Sequence, residues 1–296
     1  MGMKKIEVST LIWLLFVLLA FASNSLLCRA ALGMGQIDPF TFTAVRLISG
    51  AVTLVVLLGL WGVPGGSPAA PTVWRAGSWA GAVSLFAYAV LFSLAYVQLN
   101  TATGALIQFA AVQFCMLVYA AFYGDRLRGW RAVGAGLAAV GLVVLLAPKA
   151  QHPDSVWAVL SMAGAGLCWG VYSIVGRGSR FPLADTGGNF WRSALLVALL
   201  WALHDAGSVS SGLPPTWGGL VLALASGCLA SGVGYAVWYK VLPRLPTSSA
   251  ASVQLSVPVL AAVAGIVLLN EPFEAHVWVA MVLTLAGIGL VLRARA

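Results

Sequence analysis

The sequence predicts an all-α membrane protein of ten transmembrane helices, built as two inverted five-helix repeats. Three observations carry this. Of 296 residues, 61% are hydrophobic and only 8% charged, against roughly 25% charge in a soluble globular domain. The apolar residues fall into ten stretches, each near the roughly 20 residues that a helix needs to cross the hydrocarbon. The second half then repeats the first at a nearly constant offset. Gln108 matches Gln254, Gly124-Asp125 matches Asn270-Glu271, Gly141 matches Gly287 and Arg46 matches Arg192, each pair 146 residues apart. Tyr88-Ala89-Val90 recurs as Tyr235-Ala236-Val237 at 147, and Arg29 as Arg177 at 148. Five is odd, so the two copies must lie upside down relative to each other in the bilayer. The halves are 1–150 and 151–296, and no loop between spans is long enough to hold a soluble domain, so they form one membrane domain.

The first span, 10–31, is too long for a removable signal peptide, and too polar at Ser23-Asn24-Ser25 and Arg29. The second, 38–61, runs into the turn Val63-Pro64-Gly65-Gly66. The third, 74–97, and the fourth, 101–122, are joined only by Gln98 to Asn100, so they are antiparallel neighbours. Asn100-Thr101 is an N-cap sequence, and the repeat-related Thr247, followed by Ser248-Ser249, opens the ninth span, 247–268, with the same chemistry. The fifth span is 130–147 and the sixth, 155–177, is entered through Pro148 to Pro153. The seventh, 183–203, and eighth, 217–240, are separated by Leu213-Pro214-Pro215, and the tenth is 275–292. Gly134, Gly136 and Gly141 lie in the fifth span, Gly164, Gly166 and Gly170 in the sixth, and Gly287 and Gly289 in the tenth. Small residues let helix backbones approach closely where lipid provides no hydrophobic driving force. Internal packing accounts for them; a homo-oligomer contact is the other reading.

The net charge of +8 suggests a nucleic-acid partner only until the basic residues are sorted by loop. Lys4, Lys5, Arg75, Arg126, Arg128, Arg131, Arg177, Arg180, Lys240, Arg244, Arg293 and Arg295 fall on one side, Lys149 alone on the other. That asymmetry places both termini in the cytoplasm and makes the lipid bilayer, not nucleic acid, the partner. Cys28, Cys115, Cys168 and Cys228 all lie inside spans with no metal or disulfide spacing, and read as packing residues. Trp13, Trp61, Trp74, Trp130, Trp157, Trp201, Trp217 and Trp278 cluster near span ends as an interfacial belt, whereas Trp169, Trp191 and Trp238 lie deeper.

Enzymatic chemistry has no footing. The chain lacks HExxH, GxxxxGK[ST], GxSxG and CxxC, and its three histidines fall in loops on one side. No cofactor or metal site is expected. No Asp or Glu lies mid-span, so the intramembrane acid that proton-coupled cation export uses is missing. Arg46 and Arg192 are the two candidate intramembrane charges, expected to snorkel or to pair with Asp38 or Asp185.

What remains is a set of neutral polar and aromatic groups. Gln108 and Gln254 each lie eight residues into a span from opposite faces, and so reach about 12 Å deep, near the midplane. Pro258, four residues after Gln254, is a helix break that leaves the Gln254 carbonyl without its usual donor. Tyr88, Phe92 and Tyr96 share one face of the third span; Tyr235, Trp238 and Tyr239 lie on the eighth. Trp169 and Tyr172 lie three apart on the sixth, and Tyr172 matches Asn24 of the first. Packing is the common use of such stripes, but tyrosine hydroxyls inside a bundle need polar partners. An inverted repeat is, besides, the build of many transporters.

The chain resembles a known family. Each half closes with a small residue and an acid, a polar stretch and a Gly-rich helix: Tyr123-Gly124-Asp125 with Gly136 and Gly141, and Leu269-Asn270-Glu271-Pro272 with Gly287. Trp169-Gly170 looks like the Trp-Gly that opens a repeat in that family; the first half has Phe21-Ala22 there, and Asp125 where Glu is usual. The pattern resembles the EamA-type branch of the drug/metabolite transporter superfamily, and within it is most similar to the YddG aromatic amino acid exporters. The resemblance implies a central cavity formed by helices such as three, four, eight and nine, alternating access, and a bacterial inner-membrane location. It implies export of aromatic amino acids. From the residues themselves, such a substrate is expected to stack on Tyr88, Phe92, Trp169 and Tyr235, with Tyr172 also in the site, and to bond Asn24, Gln108 and Gln254. The alternative is export of organic cations or drugs held by cation–π contacts with the same rings.

Overall fold

A computed structural model describes residues 8–62, 72–122, 129–146, 153–207, 214–241, 254 and 256–293. Among them the chain is all-helical. The helices are α1 (Val8–Gly33), α2 (Pro39–Trp61), α3 (Trp79–Tyr96), α4 (Thr101–Phe122), α5 (Trp130–Leu146), α6 (Pro153–Val175) and α7 (Pro182–Gly207). Then come α8 (Trp217–Val241), α9 (Ser256–Leu269) and α10 (Ala275–Arg293). Six of them, α1 to α4, α6 and α8, are long and apolar enough to cross a membrane; the apolar cores of α5, α9 and α10 are shorter. Exposed large apolar side chains, such as Ile12 and Leu15 on α1, Val267 and Leu268 on α9 and Val282 on α10, suit a lipid-facing surface. Trp13, Trp61, Trp74, Trp130, Trp157 and Trp217 are exposed, as a belt requires.

The helix starts follow from local chemistry. Asp38 caps α2, its Oδ1 accepting the N–H groups of Phe40 and Thr41 at 2.9 Å with Pro39 in the first turn, so Asp38 is not a partner for Arg46. The third helix starts later than the sequence pattern predicts. Residues 73–77 form a turn, with Gly77 at φ 75°, and Ser78 caps α3 by accepting from Gly81 N–H at 3.0 Å. The start of α4 is held from a distance: Glu271 accepts the Thr101 N–H at 2.9 Å and the Thr101 hydroxyl at 3.0 Å. Its counterpart at Thr247 lies outside the described residues. Within α8, Ser226–Val233 winds as a π-helix, where the run of small residues lets α2 approach. A Cβ on Gly227 would overlap Ser49 Oγ and the Arg46 carbonyl.

Helices pack in a recurrent pattern: α2 with α7, α5 with α10, α3 and α4 with α6, and α8 and α9 with α1. Glycine sets the closest of these contacts. A Cβ on Gly287 would sit 2.5 Å from both the Ala138 nitrogen and the Gly134 carbonyl oxygen, whereas Gly289 faces open space. Gly134, Gly141 and Gly287 are thus used within the chain, whereas Gly136, like Gly289, meets nothing. Gly287→Ala is therefore expected to destabilise the fold by about 1–3 kcal/mol through overpacking, and Gly289→Ala to leave it unchanged. Thermal unfolding in detergent compares the two; equal midpoints would contradict the packing account.

Candidate functional site

A cavity of about 480 Å³ opens between α1, α3, α4, α6, α7, α8 and the start of α9. Asn24, Tyr88, Gln108, Trp169, Tyr172, Tyr235 and Gln254 all line it, although they come from five helices and the segment before α9. Phe92 does not. It is buried behind Tyr88, ring centroids 5.3 Å apart, and belongs to the packing of α3. Pro258 is the third residue of α9, so the stretch that decides whether it frees the Gln254 carbonyl, residues 242–253 and 255, lies outside the described residues.

Trp169 is the hub of the rings. It stacks on Tyr172 at 5.1 Å with 27° between planes, and lies 4.9 Å from Tyr88 and 5.6 Å from Tyr235. Tyr88, Tyr172 and Tyr235 are buried, while Trp169 is half-buried and offers more of its surface to the cavity. The hydroxyls of Tyr172, Tyr239 and Tyr88 find the partners that burial demands. Tyr172 donates to Thr186 Oγ1 at 3.3 Å, and Thr186 donates to Tyr239 at 3.3 Å. Tyr88 accepts from Arg46 Nη2 at 3.1 Å and from Asn24 Nδ2 at 3.4 Å.

Neither arginine meets its expected acid. Arg46 neither snorkels nor meets an acid: it is 2% exposed, its guanidinium carbon 5.4 Å from the Tyr88 ring and 5.2 Å from Phe92. Arg192 donates instead to the carbonyls of Ala76, Gly188 and Trp74, fastening the turn before α3. Asp185, its expected partner, accepts from Gly77 N–H at 2.8 Å and from the Ser179 hydroxyl, and lines the cavity. Sequence reasoning also missed Thr186 and Asn189 of the cavity wall. With Asp185 they occupy positions i, i+1 and i+4 of α7, a polar face that an inward-turned helix would show.

One turn along α1 from the lining residue Ser25 lies a charged clamp. Arg29 Nε lies 3.4 Å from Glu271 Oε1, and Arg29 Nη1 donates to the carbonyls of Tyr96 and Val97. The cavity lining also reaches Gly176, Arg177 and Ser179. Among the described residues no cluster of His, Cys, Asp or Glu is placed to hold a metal.

A helical bundle with an apolar outer surface around a polar and aromatic cavity is the architecture of a membrane transporter, not of an enzyme. The chain belongs to the EamA-like transporter family, whose family model matches residues 8–147 and again 156–293. It is 48% identical to an uncharacterized protein of Pseudomonas aeruginosa, over 97% of this chain and 95% of that one. It is 33% identical to the threonine/homoserine exporter RhtA of Salmonella typhimurium over 138 residues, 46% of this chain and 45% of the exporter. It is 26% identical to a probable terminal-alkyne amino-acid exporter of Streptantibioticus cattleyicolor, over 72% of this chain and 71% of that one.

Proposed function

We propose that the protein exports small amphipathic amino acids, aromatic ones first, from the cytoplasm across a bacterial inner membrane by alternating access. The observation that carries the reading is the cavity wall itself: Trp169 amid three tyrosine rings, with the amides of Asn24, Gln108 and Gln254 around them. A flat side chain would stack on the rings while neutral dipoles meet the polar end. The volume, about 480 Å³, lies in the range of small-molecule sites. Two relatives named as amino-acid exporters support the substrate class; the rings support the aromatic preference within it.

Two inverted five-helix halves, 1–150 and 151–296, would rock about this site. The two matches of the family model support that division. So does the packing, in which a shift of five helices turns α3–α6 into α8–α1 and α4–α6 into α9–α1, while α2–α7 and α5–α10 map onto themselves. With both termini cytoplasmic, the Arg29–Glu271 clamp would lie toward the outer side and the lining at Arg177 toward the inner side, which supports an inward-facing reading.

Protein-containing liposomes preloaded with phenylalanine, tryptophan, threonine or leucine provide the test. Release of the aromatic amino acids is expected to exceed that of leucine by about tenfold, the value of one added ring-stacking contact. Indifference to an imposed pH gradient would fit uniport. Equal release of all four would remove the aromatic preference, and no release of any would remove amino-acid export.

A further inference from the structure

We propose that Tyr88 is a carboxylate-binding group on the cavity wall, with Arg46 as the positioning residue behind it. The solutes carried are then carboxylates, and an ammonium group is dispensable. The inference rests on the cavity being the transport site.

The hydrogen bonds around Tyr88 have a direction. Ser226 donates to Asn24 Oδ1 at 2.8 Å, which turns the amide NH2 of Asn24 toward Tyr88. The Tyr88 oxygen receives that bond and a second one from Arg46 Nη2. A phenol has one proton to give, and among the described residues that proton meets no acceptor. The chain from Ser226 through Asn24 therefore ends in a donor on the cavity wall. A bond received from a guanidinium polarises the phenol and strengthens the bond that it donates.

Charge points the same way. Arg46 is buried, its Nε and Nη1 make no hydrogen bond, and no carboxylate of the described residues lies within ion-pair distance. Such a cation inside a membrane bundle marks a site rather than a structural pair. Among the described residues the charged groups that line the cavity, Arg177 and Asp185, are of opposite sign, and Arg46 behind the wall adds a positive charge that none of the described carboxylates pairs. An anionic group is drawn to the Tyr88 donor, and an organic cation is repelled from it.

The test uses L-phenylalanine, phenylpyruvate and L-phenylalaninamide in preloaded liposomes, with L-threonine and L-threoninamide beside them, and reads the protein-dependent release of each. Phenylalanine and phenylpyruvate are expected to leave at comparable rates and the amide at least about tenfold more slowly, the cost of one hydrogen bond to a charged group. Tyr88→Phe keeps the ring and removes the donor, and is expected to bring the acids down to the rate of the amide. Arg46→Gln is expected to narrow the acid-to-amide ratio while Arg46→Lys restores part of it, a readout that a purely structural role would not move. Should Arg46→Gln fail to fold, Tyr88→Phe decides alone. Amides moving as fast as acids, or an acid preference that survives in Tyr88→Phe, would overturn the inference. If threonine moves and phenylalanine does not, the aromatic preference falls, and threonine against threoninamide still judges the carboxylate site. If no carboxylate moves, both readings fall.

Discussion

Glu271→Ala is expected to lower stability by about 3–4 kcal/mol, the range for breaking one side of a buried ion pair. Glu271 joins three helices. Its carboxylate takes the backbone N–H and hydroxyl of Thr101, the first residue of α4, and faces Arg29 at the end of α1. Arg29 in turn binds the carbonyls of Tyr96 and Val97 where α3 ends, the favourable place for a cation against a helix dipole. The glutamate side chain is 8% exposed and that of Arg29 20%, so solvent replaces little of what is lost. Alanine leaves the Arg29 guanidinium without its carboxylate and the α4 terminus without an acceptor. In detergent the unfolding midpoint is expected to fall by roughly 10 °C. Glu271→Gln retains an acceptor for Thr101 and is expected to lose about half as much. Arg29→Ala in the Glu271→Ala background is expected to cost little more, because the two side chains act as a unit. Single and double variants that simply add would show that the clamp is not one.

The clamp shows what the sequence could and could not convey. Hydropathy and the 146-residue offset located nearly every helix, because burial in lipid imposes length and apolarity on each span separately. They also paired Arg29 with Arg177 and Glu271 with Asp125, though not Arg29 with Glu271. A contact across 242 residues leaves no periodic trace in one sequence. The repeat-related Gln108 and Gln254 both line the cavity. Facing was not legible: Phe92 shares a helical stripe with Tyr88, yet one turn's difference puts it behind the wall. Arg46 was misjudged because an intramembrane arginine ordinarily reaches water or an acid, and this one lies over two rings with neither. The π-helical stretch of α8 was invisible for a related reason, since its glycines and serines read equally well as ordinary close packing.

Trp169→Ala is expected to raise the half-saturating concentration for phenylalanine release about thirtyfold, or about 2 kcal/mol. Trp169 is the ring with the most neighbours in the cavity, and being half-buried it has surface left to give a ligand. Truncation removes a stacking face and widens the site, so the solute loses both contact and exclusion of water. The fold loses less, about 1–2 kcal/mol, because one side of the indole faces the cavity. Trp169→Phe restores a face and is expected to return half-saturation to within about threefold of the parent. Phe92→Leu is the control. It lies one layer further in, 1% exposed, and a swap of similar size there costs under about 1.5 kcal/mol of stability without reaching the solute. Concentration dependence of release, measured beside thermal unfolding, separates these effects. A Trp169→Ala protein that folds and saturates like the parent would move substrate recognition away from the rings. If Phe92→Leu shifted saturation as far as Trp169→Ala, the rings would be acting as one packed block, and the cavity face of Trp169 would have no special part in binding.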